Sequence, residues 1–108
     1  AYTGLHQHAR VGESVMVAGG AKVSQDAPPF TMVAGDRARI VGLNSVGLYR
    51  RGFGEKTRAD IKRAFHLIFQ SKLQLEAALV RVEDEVGGVP EVERLVTFLR
   101  KTERGFCR

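Results

Sequence analysis

The 108-residue sequence predicts two architectures in series, the end of a left-handed parallel β-helix (hexapeptide repeat, all-β) and then a small all-α helical domain. Three observations carry that prediction. Leu5, Val11, Val17 and Val23 recur every six residues, and the small Ala9, Val15, Ala21 and Ala27 each follow four residues later. This rhythm matches neither the 3.6 period of a helix nor the period 2 of a half-buried strand, but it matches triangular coils that turn a corner every six residues. The rhythm stops at Pro28-Pro29, and past residue 55 the apolar residues recur at helical spacing.

Taken in order, residues 1–43 are expected to hold the last coils and the terminal loop of the β-helix. Each aliphatic pointing into the prism contributes about 1.5–3 kcal/mol when neighbours lie above and below it. Solenoid repeats are stabilised by their neighbours and about three or more are needed, and residues 1–29 supply fewer than two coils. The expectation is that this chain is the carboxyl-terminal part of a longer protein. From Phe30 to Leu43 the sequence reads as short extended pieces turning at Gly35-Asp36 and Gly42.

Residues 44–54, with Gly47, Gly52, Gly54 and the pair Arg50-Arg51, are expected to form a linker. Residues 55–108 are expected to make a helical domain of about three helices. In the first, Thr57 and Asp60 resemble a capping box, and Ile61, Ala64, Phe65, Ile68 and Phe69 form an apolar stripe reaching about Lys72. The second runs from about Leu75 to Val86 and is stopped by Gly87-Gly88. The third opens at Pro90, tolerated in a first turn, carries Val92, Leu95, Val96 and Leu99 inward, and ends near Thr102. The tail from Glu103 to Arg108 has no clear period.

Seventeen Lys and Arg against twelve Asp and Glu give a net charge of +5, which suits an acidic or phosphate-bearing partner. The charges are interspersed with apolar residues and lack aromatic interleaving, which argues against nucleic acid. The single cysteine, Cys107, excludes a disulfide framework and a Cys-rich zinc site, and fits a reducing, cytoplasmic setting. No apolar run approaches the ~18 residues of a membrane span, so no membrane insertion is expected.

At His6-Gln7, Gln25-Asp26-Ala27-Pro28-Pro29-Phe30, Val33-Ala34-Gly35-Asp36, Gly42-Leu43-Asn44, Gly47-Leu48-Tyr49-Arg50-Arg51-Gly52-Phe53 and Thr102-Glu103-Arg104-Gly105-Phe106, the chain resembles the UDP-N-acetylglucosamine O-acyltransferases of bacterial lipid A synthesis. The hexapeptide rhythm is shared by many transferases, whereas Arg-Arg-Gly-Phe opening a helical domain is much more specific. The resemblance implies a homotrimer with its active site between neighbouring β-helices. It also implies transfer of a 3-hydroxyacyl group from acyl carrier protein to the glucosamine 3-hydroxyl of UDP-N-acetylglucosamine. The donor group rides on the carrier's phosphopantetheine, and no metal or tightly held cofactor is expected.

For the site, the resemblance implies substrate-binding roles for His6, Gln7, Asn44, Arg50 and Arg51, and an acyl groove lined by Met16 and Gly19. Arg50 and Arg51 are the strongest of these, because a guanidinium presents a rigid donor fork to phosphate. The cluster of Arg50, Arg51, Lys56 and Arg58 would attract an acidic carrier protein. Val46 stands where some relatives have Glu, and His8 where the family often has Phe. His66 is expected to be a structural or surface residue. The family's general-base histidine belongs to an earlier coil, so this segment by itself is expected to be inactive. Two rivals remain: another hexapeptide-repeat acyltransferase, such as the N-acyltransferase acting later in lipid A synthesis, or a stand-alone trimerisation or carrier-docking module.

Overall fold

In the computed structural model, which describes residues 4–5, 9–102 and 105–107, short strands stack as parallel rungs and lead into a helical layer. The strands are β1 (Gly4–Leu5), β2 (Met16–Val17), β3 (Lys22–Val23), β4 (Thr31–Ala34) and β5 (Arg39–Leu43). β1 pairs with β3 in parallel, Leu5 opposite Val23, and β2 pairs with β4 in parallel, Val17 opposite Val33. Val11 and Ala27 form a further parallel bridge. Successive parallel coils are what the six-residue rhythm calls for.

The interior of these coils holds Ala21, Val23, Ala27, Val33 and Ala38, with Ala9, Val15 and Val17 packed against them. The inward positions are small or β-branched because the prism is narrow, and the second coil is closed tightly, with Val23 at 2 % exposure and Ala27 at 0 %. Val11 departs from the expectation of burial, being 42 % exposed. It rests on Ala27 from one side, and among the described residues no strand pairs with it on the other.

The corners show the backbone cost of the coil. Ser14 and Phe30 have φ of 56° and 70°, and Gly20 and Gly35 have φ of 81° and 91°. The register of Met16 with Met32 sets Ser14 over Phe30, so equivalent corners adopt the same left-handed conformation. After Gly35 the chain reverses, and β5 returns antiparallel to β4 with a bulge beside Val33. The turn expected at Gly35-Asp36 is present. Gly42 is not a turn but lies inside β5, paired with Met32.

The expected linker 44–54 contains a helix, α1 (Ser45–Arg50). A Cβ on Gly47 would run into the Asn44 side chain that caps the helix. Gly47 therefore serves a close approach, not chain flexibility. α2 (Glu55–Phe65) begins earlier than the expected cap at Thr57, with Gly54 as its N-cap. Asp60 has no capping role and instead accepts from Lys56 Nζ at 2.9 Å. α2 runs on through one π-helical turn, His66–Gln70, and α3 (Leu75–Val86) and α4 (Pro90–Arg100) follow close to their expected bounds.

Ile61, Ala64, Leu67, Ile68, Ala78, Leu79, Val82, Val92, Leu95 and Leu99 form the helical core, which reaches Phe30 and Leu48. Ile40 packs against both this core and the coil interior. The tail, which lacked any period, docks on the coil: Phe106 bridges Asp26, and Cys107 N donates to Asp26 O at 2.8 Å.

Candidate functional site

The candidate site lies where α1 meets the first coil, and its residues are placed by capping chemistry. Asn44 precedes α1; its Oδ1 accepts from Gly47 N at 3.1 Å and its Nδ2 donates to the Ser14 carbonyl at 2.9 Å. Asn44 N donates to Phe30 O at 2.8 Å. The residue is 6 % exposed, so its polar groups are committed to joining α1 to two stacked corners.

α1 is a turn and a half long, which brings Arg50 to its last turn and Arg51 to its C-cap, both exposed. Arg51 Nη1 donates to Ser14 Oγ at 2.6 Å, and its guanidinium lies 5.7 Å from the centre of the Phe53 ring. Phe53 is fixed in turn against Phe30, centroids 6.1 Å apart and planes at 84°. Aromatic pairs favour this edge-to-face arrangement. Arg51 is thus held by a hydroxyl on one side and a ring on the other.

Beside it, Arg58 Nε donates to Phe53 O at 3.1 Å and its guanidinium lies 5.2 Å from the Tyr49 ring. Tyr49 is 68 % exposed. Arg58 and Lys62 line a recess with Leu43, Ser45, Leu48, Glu55 and Ala59. Of the four cations expected to act together, Lys56 pairs with Asp60, Arg58 is tied to Phe53, Arg51 is held by Ser14 and Phe53, and Arg50 is exposed in the last turn of α1.

Met16 is 47 % exposed on the outer face of β2, next to Met32 by register and two residues beyond Ser14. Gly19 lies in the exposed turn that follows. A polar corner and an apolar strand face therefore adjoin. His6 and Gln7 lie outside the described residues. His66 is exposed, with Nδ1 3.3 Å from Gln70 Oε1, as expected of a surface residue. Val46, where a carboxylate was absent, is 58 % exposed on α1. Among the described residues no three His, Cys, Asp or Glu side chains gather as a metal ion would require, and no helix is long and apolar enough to cross a membrane.

Sequence reasoning missed two residues here. Ser14 carried no signal, since a serine in a turn is ordinary; only its left-handed φ sets it apart. Asp26 was noted inside a motif but given no role. It is 2 % exposed and accepts from Arg10 N at 2.8 Å, Arg10 Nε at 3.4 Å and Thr102 Oγ1 at 2.6 Å. Burial by itself raises its carboxyl, but the Thr102 and Arg10 hydrogen bonds outweigh that and hold it below the usual carboxylate value.

Comparison with known proteins gives a consistent result. A family described as Udp N-acetylglucosamine O-acyltransferase, domain 2, matches residues 26–107. The acyl-[acyl-carrier-protein]–UDP-N-acetylglucosamine O-acyltransferase of Myxococcus xanthus is 42 % identical over 104 residues, 96 % of this chain and 40 % of the relative. That of Thermodesulfovibrio yellowstonii is 48 % identical over 86 residues, covering 80 % of this chain and 33 % of the relative. A crystal structure of the UDP-N-acetylglucosamine acyltransferase of Bacteroides fragilis superposes with a TM-score of 0.93 at 40 % identity, over 98 % of this chain and 42 % of that one. The Arabidopsis enzyme superposes with a TM-score of 0.90 at 34 % identity. The chain thus spans about 40 % of the length of these relatives.

Proposed function

The chain belongs to the UDP-N-acetylglucosamine O-acyltransferase family, and on that premise we propose that it is the carboxyl-terminal part of an enzyme that moves a 3-hydroxyacyl group from acyl carrier protein to the glucosamine 3-hydroxyl of UDP-N-acetylglucosamine. This is the opening step of lipid A synthesis, run in the cytoplasm by a left-handed β-helical homotrimer. On this reading the chain contributes binding and not the proton transfer, because the resemblance places the family's general-base histidine on an earlier coil.

One observation supports this reading above the others. Two adjacent guanidiniums are presented at the end of a short capped helix, one of them already oriented by Ser14 and Phe53. Arginine forks match phosphate oxygens in geometry and charge, and each such bond contributes roughly 1.5–3 kcal/mol. A nucleoside diphosphate or the phosphate of phosphopantetheine fits that chemistry. Met16 and Gly19 supply the apolar wall against which a hydrocarbon chain lies, worth about 0.8 kcal/mol per buried methylene. Exposed Met16, Val41, Val46 and Tyr49 support burial of this side against a second copy in the trimer. The basic pair and its neighbours Lys56 and Arg58 would steer an acidic carrier protein, an attraction that salt weakens.

The test is steady-state kinetics of Arg51→Ala in the complete acyltransferase. kcat/KM for UDP-N-acetylglucosamine should fall by about ten- to a hundredfold, from the loss of one charged bond. An unchanged kcat/KM would remove Arg51 from substrate binding.

A further inference from the structure

We infer that Ser14 is a positioning residue that pre-sets the Arg51 guanidinium for an anionic substrate. The inference rests on the reading of Arg51 as a phosphate-binding group and names the residue that makes it ready to bind.

Ser14 stands in the left-handed region, φ 56°, at a coil corner. Such a φ is uncommon for a residue with a Cβ, and Gly or Asn would adopt it with less strain. Strain of this kind persists where surrounding structure fixes the residue, and it concentrates at functional sites. Both polar ends of Ser14 face the candidate site. Its carbonyl accepts from Asn44 Nδ2 at 2.9 Å, and its hydroxyl oxygen accepts from Arg51 Nη1 at 2.6 Å. The corner stacked beneath it, Phe30, has φ 70° and accepts from Asn44 N at 2.8 Å. The two strained corners therefore hold the start of α1 as a pair.

The division of labour between the two bonds identifies the role. The Asn44 bond uses only the Ser14 backbone, which any residue supplies if it can adopt the conformation. The Arg51 bond uses the side chain, and nothing in the fold requires it: Arg51 is exposed and lies past the last turn of α1. A free arginine would lose much side-chain freedom when it bound a phosphate. Hydroxyl and Phe53 ring together remove that freedom beforehand, and the remaining N–H donors of the fork stay available.

The two bonds can be separated by mutation. Ser14→Gly keeps the left-handed corner and the carbonyl, relieves strain, and removes only the hydroxyl. In the complete acyltransferase, Ser14→Gly is expected to raise KM for UDP-N-acetylglucosamine about three- to tenfold with kcat within about twofold. Its melting temperature should equal or exceed that of the wild type. Ser14→Asn accommodates the corner and offers an acceptor oxygen, so its KM should lie nearer the wild-type value. Ser14→Gly combined with Arg51→Ala should be no worse than Arg51→Ala alone. A wild-type KM in Ser14→Gly, no rescue by Asn, or additive losses in the double variant would each overturn the positioning role while leaving the Arg51 reading intact. A silent Arg51→Ala would instead sink that reading, and the positioning role with it.

Discussion

Replacing Asp26 by Asn tests what joins the tail to the coil. Three parts of the chain meet on Asp26: its carboxylate accepts from Arg10 of the first coil and from Thr102 just past the C-cap of α4, and its backbone bonds Gly105 and Cys107 of the tail. Arg10 also donates to Phe98 O at 3.1 Å and lies 4.3 Å over the Phe98 ring, so the same cation reaches α4. Asn preserves the volume and can still accept from Arg10 N, but its amide turns a donor toward Arg10 or Thr102. Charge-assisted bonds contribute roughly 1.5–3 kcal/mol against 0.5–1.5 for neutral ones. Over the bonds to Asp26, with Arg10 Nε long and half-exposed, the loss comes to about 2 kcal/mol. That corresponds to roughly a thirtyfold larger population with the tail undocked.

Cys107 reads this population directly, being 1 % exposed with Sγ 3.5 Å from Gln25 O. Burial pushes its thiol up, so it reacts slowly while docked. In Asp26→Asn, alkylation of Cys107 at fixed pH should accelerate by about thirtyfold. A rate within twofold of the wild type would refute the tail-latch reasoning. The pH dependence has a definite sign. The folded value of Asp26 lies below its unfolded one, so its contribution is complete above the ordinary carboxylate value and is lost as pH falls through the folded value. The wild-type melting temperature should therefore fall more steeply under acid than that of Asp26→Asn.

Three further outcomes follow from packing. Leu79→Ala removes a side chain at 1 % exposure from the centre of the helical core and should cost about 2–5 kcal/mol in denaturant unfolding; a loss under about 1 kcal/mol would mean the core collapses onto the gap. Gly12→Ala puts a Cβ 2.5 Å from Pro29 N and 2.6 Å from its Cδ, which neither backbone can yield, and should cost about 1–3 kcal/mol. Gly42→Ala, with no atom within 4 Å, should stay within about 0.5 kcal/mol in the same assay.

The parts of this fold that a sequence displays are those governed by local periodicity. Val17, Val23, Ala21 and Ala27 revealed the coil because every coil repeats the same need for a small inward side chain. The stripes of α2, α3 and α4 revealed themselves because their buried residues lie within one helix. What stayed hidden was set by contacts distant in sequence. α1 was read as a linker because Gly47 looks like chain freedom, whereas it makes room for a capping side chain. The tail looked featureless because Gly105 and Cys107 find their partner in Asp26, far back in the sequence. At the site, Arg50 and Arg51 were legible as residue types suited to phosphate. Ser14 was not, since its role depends on a backbone angle and on a partner 37 residues away.

The same registers explain why the coil ends where the helices begin. Leu5 lies opposite Val23, eighteen residues on, the length of three hexapeptides. Val11 lies opposite Ala27 and Val17 opposite Val33, sixteen on, and Lys22 opposite Asp36, fourteen on. The stack thus loses two residues twice, first between Val23 and Ala27 and then between Val33 and Asp36, around Gly35. The prolines contribute no N–H to a further rung, and Gly12 is forced by the approach of Pro29. A shortened turn cannot stack three full sides, so the chain reverses, and β5 adds antiparallel to β4. An antiparallel strand closes the stack to further parallel coils, and its Ile40 and Leu43 carry the apolar surface across to the helical core. The taper therefore does two things with the same residues: it ends the solenoid, and it aims Asn44 and α1 back at the Ser14 corner, where the arginine pair is displayed.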